Sequence, residues 1–404
     1  MKFLFIFFCL LCSEIKSNEL IIAPTFYGIY KSEGGTWKYD NDYASLGGWG
    51  IISKYNRKNL SINLDFYNNR FYNISKKPNY FSNEQGLAWF RNIDGDLNSK
   101  KFDFDISNIK INYKNDNINL YFGKFNSHWG PGKSSLIISN KSPSFSKFGF
   151  LMNINPNLKF EYFHGSLKSL ITDSTAVNYY NQNIPGGSRN PNLNRYIAAH
   201  RLDLNLGKNL TIGLNEMVIY GVRNLDIFYS IPFLPFWSLQ HYLGDLDNVL
   251  ISADFKFQIN KRIDCYGAFL IDEWMPSLTF DKKGNRNWFG YQLGFRIQNF
   301  LLKDDNLNAE FNWTDHRIYR HRYQINDFYS HGYPIGFWGG PHSEEIFLNY
   351  TFKKFDIIFE LNYSKAKRGV LSQEMLDNQY SNNNKNFDRF EDGYEKISNF
   401  EFVM

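Results

Sequence analysis

The chain has few cysteines and no long hydrophobic run. Of three cysteines in 404 residues, Cys9 and Cys12 lie within the first 17 positions, which leaves Cys265 alone in the remainder. An intramolecular disulfide is therefore excluded there. Beyond Phe3–Leu11, no stretch approaches the roughly 20 apolar residues that a membrane-spanning helix needs. Any membrane insertion must use strands, because a closed barrel is the other structure that satisfies its backbone groups in lipid.

Markers of nucleic-acid binding and of common enzyme classes are also lacking. The net charge is only +5, and the basic residues are dispersed, which does not favour a nucleic-acid partner. We find no Gly-x-Ser-x-Gly motif and no metal-ligand spacing of His or Cys. Asp272 and Glu273 are adjacent, and neighbours on a strand point to opposite faces, so they are a poor acid pair for glycoside hydrolysis. We expect no cofactor, no metal and no enzymatic activity, with an outer-membrane hydrolase as the least favoured alternative.

The N-terminus resembles a secretion signal. Lys2 is followed by the apolar run Phe3–Leu11 and then by six residues that end at Ser17. This pattern predicts a signal peptide over residues 1–17 and a single mature domain over 18–404. A lipoprotein signal built on Cys12 is the alternative, but Leu11 stands where a small residue is expected.

Alternating segments recur along the rest of the chain. In segments 60–67, 249–258 and 289–298, apolar and polar residues alternate with a period of two. Such a period predicts strands that separate an apolar environment from an aqueous one. Aromatic residues make up 19% of the chain, as expected for the interfacial girdles of an outer-membrane barrel.

Short turns and long connections alternate between these segments. Tight turns rich in Asn, Asp, Gly and Lys occur at 56–59, 115–117, 155–157, 207–209, 260–262, 303–306 and 353–354. Long connections occur at 31–44, 72–102, 125–145, 167–194, 221–246, 273–287, 318–342 and 367–393. This asymmetry predicts an all-β, antiparallel, transmembrane outer-membrane β-barrel with short periplasmic turns and long extracellular loops. We expect about 16 strands, or 18 if 72–102 or 125–145 hides a hairpin. A soluble β-sandwich or propeller is the alternative.

Two positions disturb the alternation. The apolar phase changes between Ile106 and Ile109, which predicts a bulge at Ser107-Asn108. Glu216 continues the apolar face of Leu210, Ile212 and Leu214. Because a carboxylate facing lipid is costly, we expect either a register shift there or a position above the membrane band.

Several ordered blocks carry a family resemblance. The most distinctive is Gly123–Gly132, which ends in Trp-Gly-Pro-Gly and is followed by Ser139-Asn140. The residues of all these blocks that we assign to the shared pattern are Gly123, Gly130, Pro131, Gly132, Ser139, Asn140, Glu216, Asp247, Asn248, Asp254, Gly340, Pro341, Arg368 and Gly369. From about residue 120 onward, the chain resembles the Wzi capsule assembly family. Apart from the resemblance, Trp-Gly-Pro-Gly predicts a sharp turn folded into the barrel mouth.

The resemblance implies an outer-membrane barrel of about 18 strands with a largely occluded lumen, which acts as a lectin. It implies that the protein binds capsular or extracellular polysaccharide and helps to organise or anchor the capsule at the cell surface. The expected partners are therefore that polysaccharide, outer-membrane lipid and, during biogenesis, the barrel-assembly machinery. The expected location is the cell outer membrane.

Polysaccharide recognition needs flat apolar rings for sugar faces and planar polar groups for hydroxyls. The long connections supply both, and arginines among them would suit an acidic polymer. The candidate binding residues are Trp129, His128, Asn126, Tyr220, Arg223, Trp237, Asp272, Glu273, Trp274, Arg317 and Trp338, and the same connections carry Tyr319, Arg320, Tyr323 and Phe337. The plainer interpretation is that the loop aromatics form the membrane girdle and the loop charges are solvated.

Charged residues also fall on registers that face the lumen. These residues are Arg201, Asp203, Asp254, Lys256 and Arg296. Such charges can pair across strands and brace the interior. They can also line a polar conduit, so a porin-like diffusion channel for small solutes stays open as an alternative.

Overall fold

The computed structural model describes residues 15–16, 20–32, 43–72, 91–92, 102–181, 189–279, 287–355, 357–378 and 388–403. Most of the predicted signal peptide, including the expected cleavage site after Ser17, lies outside these residues. Within the described ranges, no helix is long and apolar enough to cross a membrane.

Strands dominate the described ranges. Sixteen of them have eight residues or more: β2 (Leu20–Ser32), β3 (Tyr43–Arg57), β4 (Leu60–Tyr72), β6 (Phe102–Lys114), β7 (Ile118–Phe125), β8 (Phe145–Asn155), β9 (Leu158–Thr172), β10 (Asn192–Leu206), β11 (Leu210–Gly221), β12 (Asn248–Gln258), β13 (Ile263–Glu273), β14 (Trp288–Gln298), β15 (Asn306–Thr314), β18 (Ser343–Lys354), β19 (Ile357–Gly369) and β20 (Tyr394–Val403). The short strands are β1 (Ile15–Lys16), β5 (Arg91–Asn92), β16 (Tyr329–Ser330) and β17 (Tyr333–Pro334). The helices are α1 (Phe236–Tyr242) and α2 (Gln373–Asn378), and 3-10 turns occur at Val177–Tyr180, Phe228–Ser230, Pro276–Leu278 and Gln324–Asn326.

The strands form one antiparallel sheet of 18 strands, in which the 16 long strands form a meander, and β16 and β17 form a separate hairpin. Each long strand pairs with the next long strand along the chain, from β2–β3 to β19–β20. Among the described residues, no pairing joins β20 to β1 or β2. The expected all-β antiparallel fold of about 16–18 strands is confirmed, and a sandwich of two sheets or a propeller is wrong because a single sheet carries all these strands.

The predicted alternation of short turns and long connections is also confirmed. Lys58-Asn59 joins β3 to β4, and 207–209 joins β10 to β11, with Gly207 at a φ of 68°. In the β14–β15 turn, the Asp305 carboxylate accepts hydrogen bonds from the backbone N–H of Leu301 at 2.9 Å and of Leu302 at 2.7 Å. No hairpin is hidden in 126–144, which is described throughout; of 72–102, only the ends and β5 are described.

The two faces of the sheet differ as the period of two predicts. On the convex face of β14, Leu293 is 60% exposed and Phe295 is 43% exposed, whereas Gln292 on the concave face is 1% exposed. Similar apolar rows continue across neighbouring strands, which is far more than the scattered apolar residues of an ordinary soluble surface. The exterior is therefore a continuous apolar band.

The concave face is polar and carries paired charges. The Nη1 of Arg201 on β10 lies 2.6 Å from Asp254 Oδ2 on β12. The guanidinium crosses the intervening strand at Gly213, where a Cβ would lie only 2.2 Å from Arg201 Nη2. Lys256 Nζ likewise lies 3.2 Å from Asp264 Oδ2. The first pair braces β10 and β12 across β11, and the second braces the neighbouring strands β12 and β13.

The predicted bulge at Ser107-Asn108 is wrong. The β4–β6 register runs without a shift from Leu60↔Tyr113 to Phe71↔Phe102. Asn108 faces the concave side, where its Nδ2 donates to Asp65 Oδ2 at 2.8 Å, and this places Ile106 on that side too. The apolar residues of this strand therefore change from one face to the other without an extra residue in the strand.

Candidate functional site

The connection between β7 and β8, termed loop 126–144, crosses the concave space. The Trp129 indole N–H donates to Glu161 Oε2 on β9 at 3.1 Å. Gln292 Nε2 on β14 donates to the Ser134 carbonyl at 2.8 Å. Because β9 and β14 are separated by four intervening strands, the loop bridges distant parts of the wall.

A buried carboxylate holds the tip of this loop. Glu310 on β15 is 3% exposed and accepts the Ser134 backbone N–H at 3.0 Å, the Lys133 backbone N–H, and the Tyr266 hydroxyl at 2.7 Å. Gly132 is needed beside it, because a Cβ there would lie 2.8 Å from both the Gln292 amide and the Ser134 carbonyl oxygen. The Trp-Gly-Pro-Gly turn is thus folded against the inner wall.

The connection between β15 and β18, termed loop 315–342, enters the same space from the opposite side. Asp272 Oδ2 on β13 accepts the Tyr319 backbone N–H at 2.6 Å. Arg195 on β10 donates to the carbonyls of Gln324 at 2.7 Å and Tyr329 at 2.9 Å. Asp272 is therefore engaged in holding this loop, whereas its neighbour Glu273 is exposed.

The two loops join into one body, termed the plug. The Ser139 backbone N–H donates to the Ile335 carbonyl at 2.9 Å, and the Tyr319 hydroxyl donates to the Leu136 carbonyl. Apolar side chains of both loops share a core with inward residues of the wall. The plug residues in this core are Trp129, Leu136, Ile137, Ile138, Ile318, Tyr319, Phe328, Tyr333, Ile335, Phe337 and Trp338.

A second buried carboxylate binds the plug near the C-terminal end of loop 315–342. Glu345 on β18 is 1% exposed and accepts the Trp338 indole N–H at 2.9 Å and the Ser364 hydroxyl at 2.6 Å. Gly340 turns the chain just before β18 with a φ of 72°. Gly369 on β19 faces His342, where a Cβ would lie 2.2 Å from Nδ1.

Burial sets the protonation of several groups in loop 315–342. Desolvation lowers the pKa of His316 to about 4, against the opposing effect of Asp315. Desolvation likewise lowers the pKa of His321 to about 4. Burial raises the pKa of Asp327 to about 6, although Arg320, whose Nη1 lies 2.7 Å from Asp327 Oδ2, lowers it. Near neutral pH these histidines are uncharged.

The connection between β11 and β12, termed the outer-wall segment (222–247), lies on the convex face. Its Tyr229 and Phe236 are fully buried against Tyr220 and Val218 of β11. At its ends, Arg223 binds Asp247 through two hydrogen bonds of 2.9 and 2.6 Å.

Glu216 lies under this segment. It stays on the convex face because the registers on both sides of β11 are continuous, so the first of the two alternatives, a register shift, is wrong. Its carboxylate lies 2.9 Å from His200 Nε2 and accepts the backbone N–H groups of Phe236 and Trp237 at 2.9 and 2.7 Å. The outer-wall segment covers this carboxylate and separates it from the exterior.

The candidate binding residues do not form one cluster. Trp129, His128, Asp272, Arg317 and Trp338 belong to the plug or its anchors, and the Trp129 and Trp338 rings are only 4% and 7% exposed. Tyr220, Arg223 and Trp237 belong to the convex face. Asn126, Glu273 and Trp274 are exposed.

Sequence reasoning missed the role of the carboxylates that position the plug, although Glu345 belongs to the closing block of the family resemblance. Glu161, Glu310 and Glu345 lie on lumen-facing registers, and that register is the signal that could have found them. A register alone does not show which loop a side chain will hold.

In the described ranges, no group of three or more His, Cys, Asp or Glu side chains is placed to bind a metal.

No protein-family model matches the sequence, and no curated protein matches it. Among solved structures, the chain is similar to Wzi, an outer-membrane protein involved in group 1 capsule assembly in Escherichia coli and described as a carbohydrate-binding β-barrel. The TM-score is 0.53 at 14% identity, over 87% of this chain and 71% of that chain.

Two further matches have TM-scores below 0.5. Acinetobacter baumannii OccAB2 gives 0.41 at 11% identity, over 86% of this chain and 80% of that chain. Pseudomonas aeruginosa OccK8 (OprE) gives 0.39 at 8% identity, over 95% and 98%. The similarity to Wzi concerns the fold: this chain has the fold of an outer-membrane β-barrel.

Proposed function

We propose that this protein is an outer-membrane lectin that binds surface polysaccharide during capsule or exopolysaccharide assembly and attachment. The observation that carries the proposal is the plug. Two loops joined to each other and anchored on distant strands occupy the concave space, and a diffusion channel would need that space open. The resemblance of the ordered blocks to the Wzi family supports polysaccharide as the ligand class.

The proposal includes a location. The continuous apolar exterior suits outer-membrane lipid, and the predicted signal peptide over 1–17 suits export across the inner membrane. Insertion would then require the barrel-assembly machinery. We assign no reaction to the protein, since Asp272 holds the plug.

The polymer would meet the exposed rings of the long loops. Trp274 is 52% exposed and Tyr323 is 44% exposed. Arg322 lies over the Tyr323 ring at 5.2 Å, and its ion pair with Asp245 is a surface pair at 3.4 Å. Such a pair contributes about 0–1 kcal/mol, so a uronate carboxylate could replace Asp245 at low cost. The buried Trp129 ring is assigned to the plug's core.

Polysaccharide binding by the purified, folded protein tests this proposal. The double variant W274A/Y323A should weaken binding about tenfold, because two stacking rings contribute about 0.5–1.5 kcal/mol each. The matched control is Y113A, which removes a ring of 50% exposure from the strand wall and should leave binding unchanged. Full binding by the double variant, or no binding by the unaltered protein on a glycan array, would overturn the proposal.

A porin is the second candidate, and the charged concave face favours it. Arg201, Asp203 and Lys256 line the wall below the plug, as in a polar conduit. Planar-bilayer conductance separates the two functions. Large, stable currents through the unaltered protein favour the porin, and closed behaviour favours the plugged lectin.

A further inference from the structure

The outer-wall segment follows the wall downward instead of projecting beyond it. Its Phe233 ring stacks on Phe160, the third residue of β9, with ring centroids 4.8 Å apart. Its Phe236 ring stacks on His200 at 4.5 Å. The segment therefore reaches far toward the short-turn end of the strands, within the height of the apolar band.

The wall beneath the segment is unusually polar for a convex face. His164 Nε2 lies 2.6 Å from the Tyr220 hydroxyl, and the Tyr162 hydroxyl donates to the Tyr229 carbonyl at 2.9 Å. The Glu216–His200 pair lies there as well. Without the segment, the Tyr162 hydroxyl and the Nδ1 atoms of His164 and His200 would each lose a partner, and incomplete pairing of polar groups in lipid costs free energy. The segment supplies their partners and closes them off.

The other side of the segment is apolar. Ile227 is 74% exposed, Phe233 62%, Trp237 57% and Tyr242 86%. From Ile227 to Gly244 the chain contains no Asp, Glu, Lys or Arg. A solvent-facing loop of this length would ordinarily carry charge, whereas this run continues the apolar surface of the neighbouring strands.

We propose that residues 227–244 of the outer-wall segment lie within the hydrocarbon region of the membrane, with their exposed apolar side chains against lipid acyl chains. Three observations select lipid as the occupant: continuity with the apolar wall, the uncharged run, and the pairing of Arg223 with Asp247 at the segment's ends. Trp237 and Tyr242 have the amphipathic rings that suit the membrane interface. The proposal rests on the membrane location proposed above. It gives residues 227–244 a role apart from the extracellular polysaccharide face, to which Asp245 at the end of the same connection is assigned.

Site-directed fluorescence quenching tests the proposal. In a variant with the native cysteines replaced by serine, an NBD label is placed at F233C or Y242C, and the protein is reconstituted into phosphatidylcholine vesicles. Doxyl-labelled lipid should quench both labels within twofold of a reference label at L293C on the convex wall. Aqueous iodide should quench them at least fivefold less than a label at Y179C, an exposed position in the β9–β10 connection.

Each outcome decides the question. Iodide quenching as strong as at Y179C would overturn the proposal, and protection from both quenchers would overturn it in favour of a second copy of the chain. Failure of the L293C label to meet lipid would overturn the membrane location itself, so the two failures are distinguishable. Tyr242 is 86% exposed, so Y242C keeps the test valid if F233C impairs folding. Heat-modifiable migration checks the folding of every variant.

Discussion

Glu310 should control how firmly the plug is closed. In Glu310→Ala, the backbone N–H groups of Lys133 and Ser134 lose their carboxylate acceptor, and the Tyr266 hydroxyl loses a partner. Each hydrogen bond to a charged group contributes about 1.5–3 kcal/mol. Water that enters the vacated volume restores part of this, so we expect a local loss of about 3 kcal/mol.

That loss predicts a specific change in amide hydrogen exchange. A cost of about 3 kcal/mol shifts the equilibrium between the closed and open states of loop 126–144 by about two orders of magnitude. Amide exchange across this loop should accelerate by the same factor, while exchange in the strands stays unchanged. In planar bilayers, the variant should also open more often than the unaltered protein.

Glu360→Ala is the matched control. Glu360 reaches the same loop residue through a surface ion pair with Lys133 Nζ at 3.7 Å, with side-chain exposures of 46% for Lys133 and 33% for Glu360. Such a pair contributes about 0–1 kcal/mol, so exchange should change less than about fivefold. Equal effects of the two substitutions, or less than tenfold acceleration in Glu310→Ala, would refute the account of the plug.

Two further predictions concern other buried groups. Glu216→Ala leaves His200 and the first turn of α1 without their acceptor, so the free energy of unfolding in urea should fall by about 3 kcal/mol. The control, Glu374→Ala at an exposed position, should lower it by less than about 0.5 kcal/mol. Equal losses would contradict the burial of Glu216 under the outer-wall segment. Acid should loosen loop 315–342, because the pKa values of His316 and His321 lie at about 4 in the fold against 6.5 ordinarily. Their stabilisation is complete above pH 6.5 and is lost as the pH falls through about 4. Asp327, with its pKa raised to about 6, acts in the opposite direction but is one group against two. Amide exchange of this loop, corrected for intrinsic rates, should be faster at pH 4.5 than at pH 7; a slower rate would show that Asp327 dominates.

Strands and turns were predictable because their signals are local. The alternation in 249–258 reports the two faces of β12, and the Gly-Lys-Asn turn at 207–209 ends one strand and begins the next. The Ser107-Asn108 prediction failed for a related reason. A polar side chain on the concave face satisfies the same alternation rule, and Asp65, 43 residues earlier, provides its partner.

The plug depends on contacts that sequence patterns do not report. Ser134 and Glu310 are separated by 176 residues, and Ser139 meets Ile335 only after both loops have folded inward. From the residues alone, Trp129 and Trp338 have the composition of a sugar platform. Their burial follows from two acceptors on the wall, Glu161 and Glu345, whose loop partners could not be assigned from register.

Two irregularities of the sequence explain each other in the fold. Glu216 places a carboxylate on an otherwise apolar face, and the uncharged run 227–244 places an apolar segment in a connection expected to face water. Each is unfavourable alone, since a carboxylate in lipid and an apolar loop in water both cost free energy. When the run lies over the wall, Phe236 and Trp237 donate to the carboxylate, and the apolar side of the run continues the exterior. Both irregularities are then satisfied only if the segment remains on the wall, so Glu216→Ala should also release the label at Y242C toward aqueous iodide.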